Sequence, residues 1–179
     1  MRGYFAVGVD GVSKAMNLGN LQRISHAFGA SFFFSINAQV RTKDVENADT
    51  SHAAGHMPVY RYDDAAALRL PVGCRLVGVE ITDEAIELPR FRHPLRAAYV
   101  FGSERMSLSP EVLGACEFVV KIPTRFSINV GMAGAIVLYD RVLSLGGHPD
   151  RPVRPGGATD TVPPQHHWGA PLARIARTR

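Results

Sequence analysis

Ala97-Ala98-Tyr99-Val100-Phe101-Gly102-Ser103-Glu104 is an apolar run that stops at a glycine and breaks into polar residues. An apolar segment without polar alternation is expected of a strand covered on both faces, as in a parallel sheet between helices. The polar loop behind it is where α/β proteins place their binding groups. Working outward, Tyr4–Val9, Ser31–Ile36, Arg75–Ile81 and Phe118–Ile122 repeat the pattern, and with Ala97–Phe101 they form the candidate strands. Between them the spacing predicts a helix from about Leu18 to Phe28 and a short one near Asp63–Leu68. A third helix opens at Ser109-Pro110-Glu111, with serine as cap and proline at the first helical position. The last runs from about Asn129 to Leu145 and ends at Gly146-Gly147. Strand alternating with helix predicts an α/β fold, a mostly parallel sheet flanked by helices on both faces.

The first helix is amphipathic. Leu21, Ile24 and Phe28 share the core face, while Asn20 and Arg23, three apart, are neighbours on another. Asn17 lies in the turn before them. Val130, Met132, Ala133, Ala135, Ile136, Val137 and Leu138 leave the last helix little polar face in its first half, which suits a buried core helix or one shared with a subunit interface. Residues 37–57 are polar and read as a long loop, a kind that is usually functional or mobile. After His148 the composition turns to proline, glycine and arginine. The expected organisation is one domain over residues 1–148 and an extended tail over 149–179.

At 179 residues the chain can bury one real core. Net charge is +4, and of the 20 basic residues only Lys14, Lys43 and Lys121 are lysine. Arginine's planar fork matches phosphate oxygens, so the surplus suits an anionic partner, or simply a solvated basic surface. Cys74 and Cys116 have no neighbouring ligands and read as reduced core residues. His52 and His56 lack the glutamate of a zinc helix, so no metal is expected. Neither a dinucleotide fingerprint nor a P-loop is present, which disfavours a plain Rossmann-like nucleotide binder. Val130–Tyr139, the longest apolar stretch, is about half of the roughly 20 residues that span a bilayer. With no leader pattern at the N-terminus either, no membrane is expected and cytoplasm is the expected location.

Three stretches in order carry a resemblance. The first is Asn17-x-Gly19-Asn20-x-x-Arg23 with Phe28-Gly29. The second runs from Leu76-Val77-Gly78-Val79-Glu80 through His93-Pro94 to Val100-Phe101-Gly102-Ser103-Glu104 and Leu108-Ser109. The third is Ile122-Pro123 through Ser127-Ile128-Asn129-Val130 to Tyr139. Together they resemble the motifs of the SpoU/TrmH branch of the SPOUT RNA methyltransferases, over roughly residues 3–145. Met16, the stretch Arg105-Met106-Ser107 and Gly131 depart from the usual pattern of that family.

The resemblance implies a SPOUT fold with a C-terminal trefoil knot, working as a homodimer. It implies methylation of a ribose 2′-hydroxyl from S-adenosylmethionine, with transfer RNA the leading substrate. By motif position Val79, Glu80, Gly102, Ile122 and Ile128 would line the cofactor pocket. Arg23 and Asn17 would act on the attacking hydroxyl, and Ser127 and Asn129 would orient the arginine and the ribose. Glu104 would order its loop first of all. A guanidinium stays protonated, so holding a developing oxyanion and the adjoining phosphate is the physically secure role for Arg23. The rival reading is an RNA-binding protein that keeps the fold but transfers no methyl group. In the methyltransferase reading, the dimer surface, residues 37–57 and tail arginines 151, 154, 174, 177 and 179 would serve to grip the RNA.

Overall fold

The computed structural model describes residues 3–40, 56–103 and 107–146. The expected tail, most of the long loop and Glu104 lie outside the described residues. In chain order the elements are β1 (Tyr4–Asp10), α1 (Ala15–Ala27), β2 (Phe32–Ile36), β3 (Val59–Tyr62), β4 (Arg75–Val79) and β5 (Ile86–Glu87). A 3₁₀ turn (Leu88–Arg90) then leads to β6 (Arg96–Phe101), α2 (Pro110–Ala115), β7 (Phe118–Lys121) and α3 (Val130–Leu145). The seven strands form one sheet in the order β3-β2-β1-β6-β4-β7-β5. Each neighbouring pair is parallel.

All five expected strands are present, and the continuous apolar runs are explained by burial on both faces. Along β6, Ala97, Tyr99 and Phe101 join one core with Leu18, Leu21, Val137 and Leu138 of α1 and α3. Ala98 and Val100 point the other way, into a second core with Leu108 and Val112 beside α2. On that face the Phe34 ring covers Gly8, and a methyl group at Gly8 would overlap it. α1 and α3 pack through another bare backbone: a side chain at Gly134 would strike Leu21. Gly131, a departure from the family pattern, is less crowded: a Cβ there would meet Ile24 at 3.5 Å and Asn20 at 3.6 Å, ordinary contact distances, and only the Asn129 Oδ1, at 3.2 Å, would be tight.

Two expectations need correcting. Residues 63–68 make bends and a turn instead of a helix. The Asp64 carboxylate accepts from the Ala67 amide at 2.7 Å and Leu68 N–H bonds back to Ala65 at 3.2 Å, closing one turn that Pro71 prevents from propagating. α1 starts at Ala15, so Asn17 lies inside its first turn and is buried. Lys14 gives the helix no side-chain cap, which left the sequence without a start signal there. β3 and β5 were not expected; four residues behind Pro58 and a two-residue strand carry little periodicity. The expected trefoil knot is not visible among the described residues, which leave out 104–106.

The C-terminal half of α3 is locked by a buried polar chain. Arg141 donates to the carbonyls of Pro94 (2.6 Å) and Leu95 (2.9 Å) and to the Tyr99 hydroxyl (3.1 Å). Tyr99 lies 2.6 Å from His93 Nδ1, and His93 Nε2 lies 2.9 Å from Asp140. The directions agree if Tyr99 donates to a neutral His93, which in turn donates to Asp140. Burial pushes Tyr99 up to about 12 and lowers His93, with Asp140 opposing the latter only in part. A histidine whose folded value lies below its ordinary 6.5 binds fewer protons in the native state than unfolded. Stability should therefore be fully present above about pH 6.5 and decline as pH falls through the lower folded value. Denaturant midpoints across that range should show the slope, and His93→Gln should flatten it.

Candidate active site

Three neighbouring strands, β6, β4 and β7, release their carboxyl ends side by side, and the loops that follow enclose a cleft of about 450 Å³. Small-molecule sites typically occupy about 300–1,000 Å³, and in open α/β sheets they lie at these strand ends. Val79, Phe101, Ile122, Ile128, Val130 and Ala133 give the cleft apolar walls. Ser103, Ser107, Lys121, Thr124, Ser127 and Asn129 supply polar groups.

Two carboxylates anchor the chain just ahead of α2. Asp10, the last residue of β1, is buried and accepts from the Ser109 amide at 2.7 Å. Glu80, just past β4, accepts from the Leu108 amide at 2.9 Å and from its own neighbour Ile81 at 2.9 Å. Charge-assisted bonds of this kind are stronger than neutral ones, and here they fix adjacent N–H groups where α2 begins. Ser109 then caps α2 by accepting from Val112 at 3.4 Å. On the other side Lys121 donates to the carbonyls of Thr82 (2.9 Å) and Asp83 (3.4 Å), pinning the loop after β4.

The start of α3 joins the cleft to α1. Asn129 is the cap of α3: its Oδ1 accepts from the Gly131 amide at 2.9 Å, satisfying a free helical donor. That bond turns Nδ2 toward Asn17, whose Oδ1 it reaches at 3.4 Å across 112 residues of sequence. Asn17 is 8% exposed, so this amide pair is largely screened from water.

All five residues expected at the cofactor pocket, Val79, Glu80, Gly102, Ile122 and Ile128, line this one cleft, as do Ser127 and Asn129. Asn17 reaches it through Asn129. Arg23 does not line it: the residue is exposed on α1, about 9 Å further along the helix axis than Asn17. Glu104 falls among the residues not described. Asp10, Lys121 and Thr124 escaped the sequence reading, though Asp10 and Lys121 are the polar ends of apolar strands. Cys116 is no nucleophile, since burial pushes its thiol up to about 12. Among the described residues no group of histidine, cysteine and carboxylate side chains could hold a metal ion, and no helix is long and apolar enough to cross a membrane.

Comparison with known proteins agrees with this architecture. A tRNA/rRNA methyltransferase of Archaeoglobus fulgidus, itself uncharacterised, is 29% identical over 146 residues, covering 76% of this chain and 63% of its own length. A tRNA (guanosine(18)-2′-O)-methyltransferase of Borreliella burgdorferi is 36% identical over 76 residues, covering 41% of this chain and 35% of its own. The chain thus spans less than two thirds of either relative. Among solved structures, an AdoMet-bound rRNA methyltransferase from Sinorhizobium meliloti superposes with a TM-score of 0.71 at 20% identity, over 81% of this chain and 58% of its own. A structure described as giving insights into 2-OH methylation of C/U34 on tRNA superposes at 0.70 and 22% identity, over 83% of this chain and 100% of its own. These likenesses establish the fold. The family model for the SpoU rRNA Methylase family matches residues 4–139, and the chain belongs to that family.

Proposed function

We propose that this chain is an S-adenosylmethionine-dependent methyltransferase that modifies a ribose 2′-hydroxyl of RNA, with transfer RNA the leading substrate. The observation that carries the reading is the Asn17–Asn129 bond, which ties the first motif to a cleft built by the other two. The residues present fit the cofactor. Apolar walls suit an adenine and a thioether chain, and residues of three loops converge on the same space. When bound there, S-adenosylmethionine supplies an electrophilic methyl group.

The chain's own residues would do the rest. Ser127 and Asn129 present a hydroxyl and an amide at the cleft wall, suited to orient a ribose. Asn17 fixes which way the Asn129 amide points. Arg23 would hold the negative charge that develops as the hydroxyl loses its proton, and grip the adjacent phosphate. Because Arg23 does not line the cleft of its own chain, a second copy would bring it there. Met132, Ile136 and Tyr139, exposed at helical spacing on α3, with Met16 exposed on α1, offer the apolar surface for such a homodimer.

Calorimetric titration of S-adenosylmethionine into the purified protein, followed by addition of RNA and labelled cofactor, tests the reading. Saturable one-to-one binding per chain and label transfer to RNA are expected. RNA binding without cofactor binding would instead favour a fold retained for RNA recognition alone.

A further inference from the structure

The segment between β7 and α3 divides its residues between two sides. Ile122, Thr124, Ser127, Ile128 and Asn129 line the cleft, whereas Pro123, Arg125 and Phe126 are exposed and do not. Phe126 is 75% exposed, unusual for a phenylalanine. Its backbone is held in a turn. Thr124 Oγ1 donates to the Phe126 carbonyl at 2.8 Å, and the Thr124 amide donates to Ile122 at 2.7 Å. Among the described residues no other ring stacks on Phe126, and Arg125 beside it makes no ion pair. A ring outside the cleft cannot be covered by a small molecule bound inside it. Whatever covers the ring must approach the same lip from solvent.

We propose that Phe126 and Arg125 form a platform for RNA at the mouth of the cleft, the ring stacking on an unpaired base and the guanidinium holding a neighbouring phosphate. This rests on the methyltransferase reading, because it takes the incoming polymer to be RNA. The chemistry fits: every base has a π-face, aromatic stacking tolerates sequence, and single-stranded or splayed nucleotides are the ones that present that face. An adjacent cation adds attraction to the backbone, which a protein partner or lipid surface would not specifically require. The platform would select unstacked nucleotides, so the substrate would be a loop or other single-stranded region instead of a duplex.

The test uses the full chain, the chain's transfer of methyl groups to a total transfer-RNA fraction, and direct binding of a short unstructured oligoribonucleotide. Phe126→Ala should weaken oligonucleotide binding about tenfold, the size expected for one stacked base. Phe126→Tyr should retain it, and Phe126→Leu should not. S-adenosylmethionine affinity and sedimentation mass should be unchanged in all three. Trp168 is the chain's single tryptophan, so Phe126→Trp in a Trp168→Phe background gives a local reporter whose fluorescence RNA should quench. Unchanged RNA affinity in Phe126→Ala, or quenching absent from the reporter, overturns the platform while wild-type methyl transfer leaves the enzymatic reading standing. A loss of cofactor affinity or a change in mass also overturns it, assigning the ring to the cofactor or to a protein interface. If the wild-type chain transfers no methyl group yet Phe126→Ala still loses RNA binding, the platform survives and the enzymatic reading fails.

Discussion

Replacing Arg23 by alanine is expected to lower methyl transfer to RNA by about 10²–10³-fold, the usual cost of removing one donor aimed at developing charge. Cofactor affinity should hardly move, because Arg23 lies on the exposed side of α1 and does not line the cleft. Stability should hardly move either, since it makes no ion pair among the described residues and surface substitutions of this kind usually cost little. Arg23→Lys should recover only a small part of the activity, because a point charge cannot reproduce a planar fork on a phosphate. The stronger version mixes two inactive proteins. Arg23→Ala and Asn129→Ala chains, unfolded and refolded together, should regain activity if one copy supplies the guanidinium and the other the cleft. Equal loss of cofactor binding and activity in Arg23→Ala would assign the residue to folding.

Arg141→Ala should be strongly destabilising without touching the cleft. The guanidinium is buried and fans out to Pro94, Leu95 and Tyr99 while lying over the Phe5 ring at 5.1 Å. Removing it strands carbonyls where water cannot reach them easily, at about 1–3 kcal/mol for each such group, and forfeits the packing of the side chain's stem. A total loss of at least about 3 kcal/mol is expected, a large part of the roughly 5–15 kcal/mol that holds a domain together. Arg141→Met should recover some packing but none of the hydrogen bonds and fall between the two. The denaturant midpoint should shift with little change in slope. An unchanged midpoint would mean that Tyr99, His93 and Asp140 hold α3 unaided.

Much of this was legible in the residues, for identifiable reasons. Strands covered on both faces write themselves as unbroken apolar runs, which is why β1, β2, β4, β6 and β7 could be read directly. The Ser109-Pro110 start of α2 was equally plain, because capping chemistry is local. What could not be read was anything set by distant partners. Asn17 looked like a turn residue because its partner, Asn129, is 112 positions away. The turn at residues 63–68 had helical spacing, and only the side chain of Asp64 and the brake at Pro71 decided otherwise. Nothing in the sequence singled out Asp10 or Lys121 as binding groups, whereas each bonds to backbone of a neighbouring segment. The buried Arg141 defies the expectation that charge stays at the surface, and nothing near it in sequence announces Tyr99 or the two carbonyls it serves.

The central claim is that this cleft directs methyl transfer to a ribose oxygen. Its most direct measurement incubates the protein with methyl-labelled S-adenosylmethionine and RNA, digests one portion of the RNA completely to nucleosides and another with alkali, and separates the products of each. The account predicts label in a 2′-O-methylated nucleoside of the first digest and, in the second, in a dinucleotide that resists alkaline cleavage because the 2′-oxygen is blocked. Label found on a base, with every backbone step still open to alkali, would contradict it.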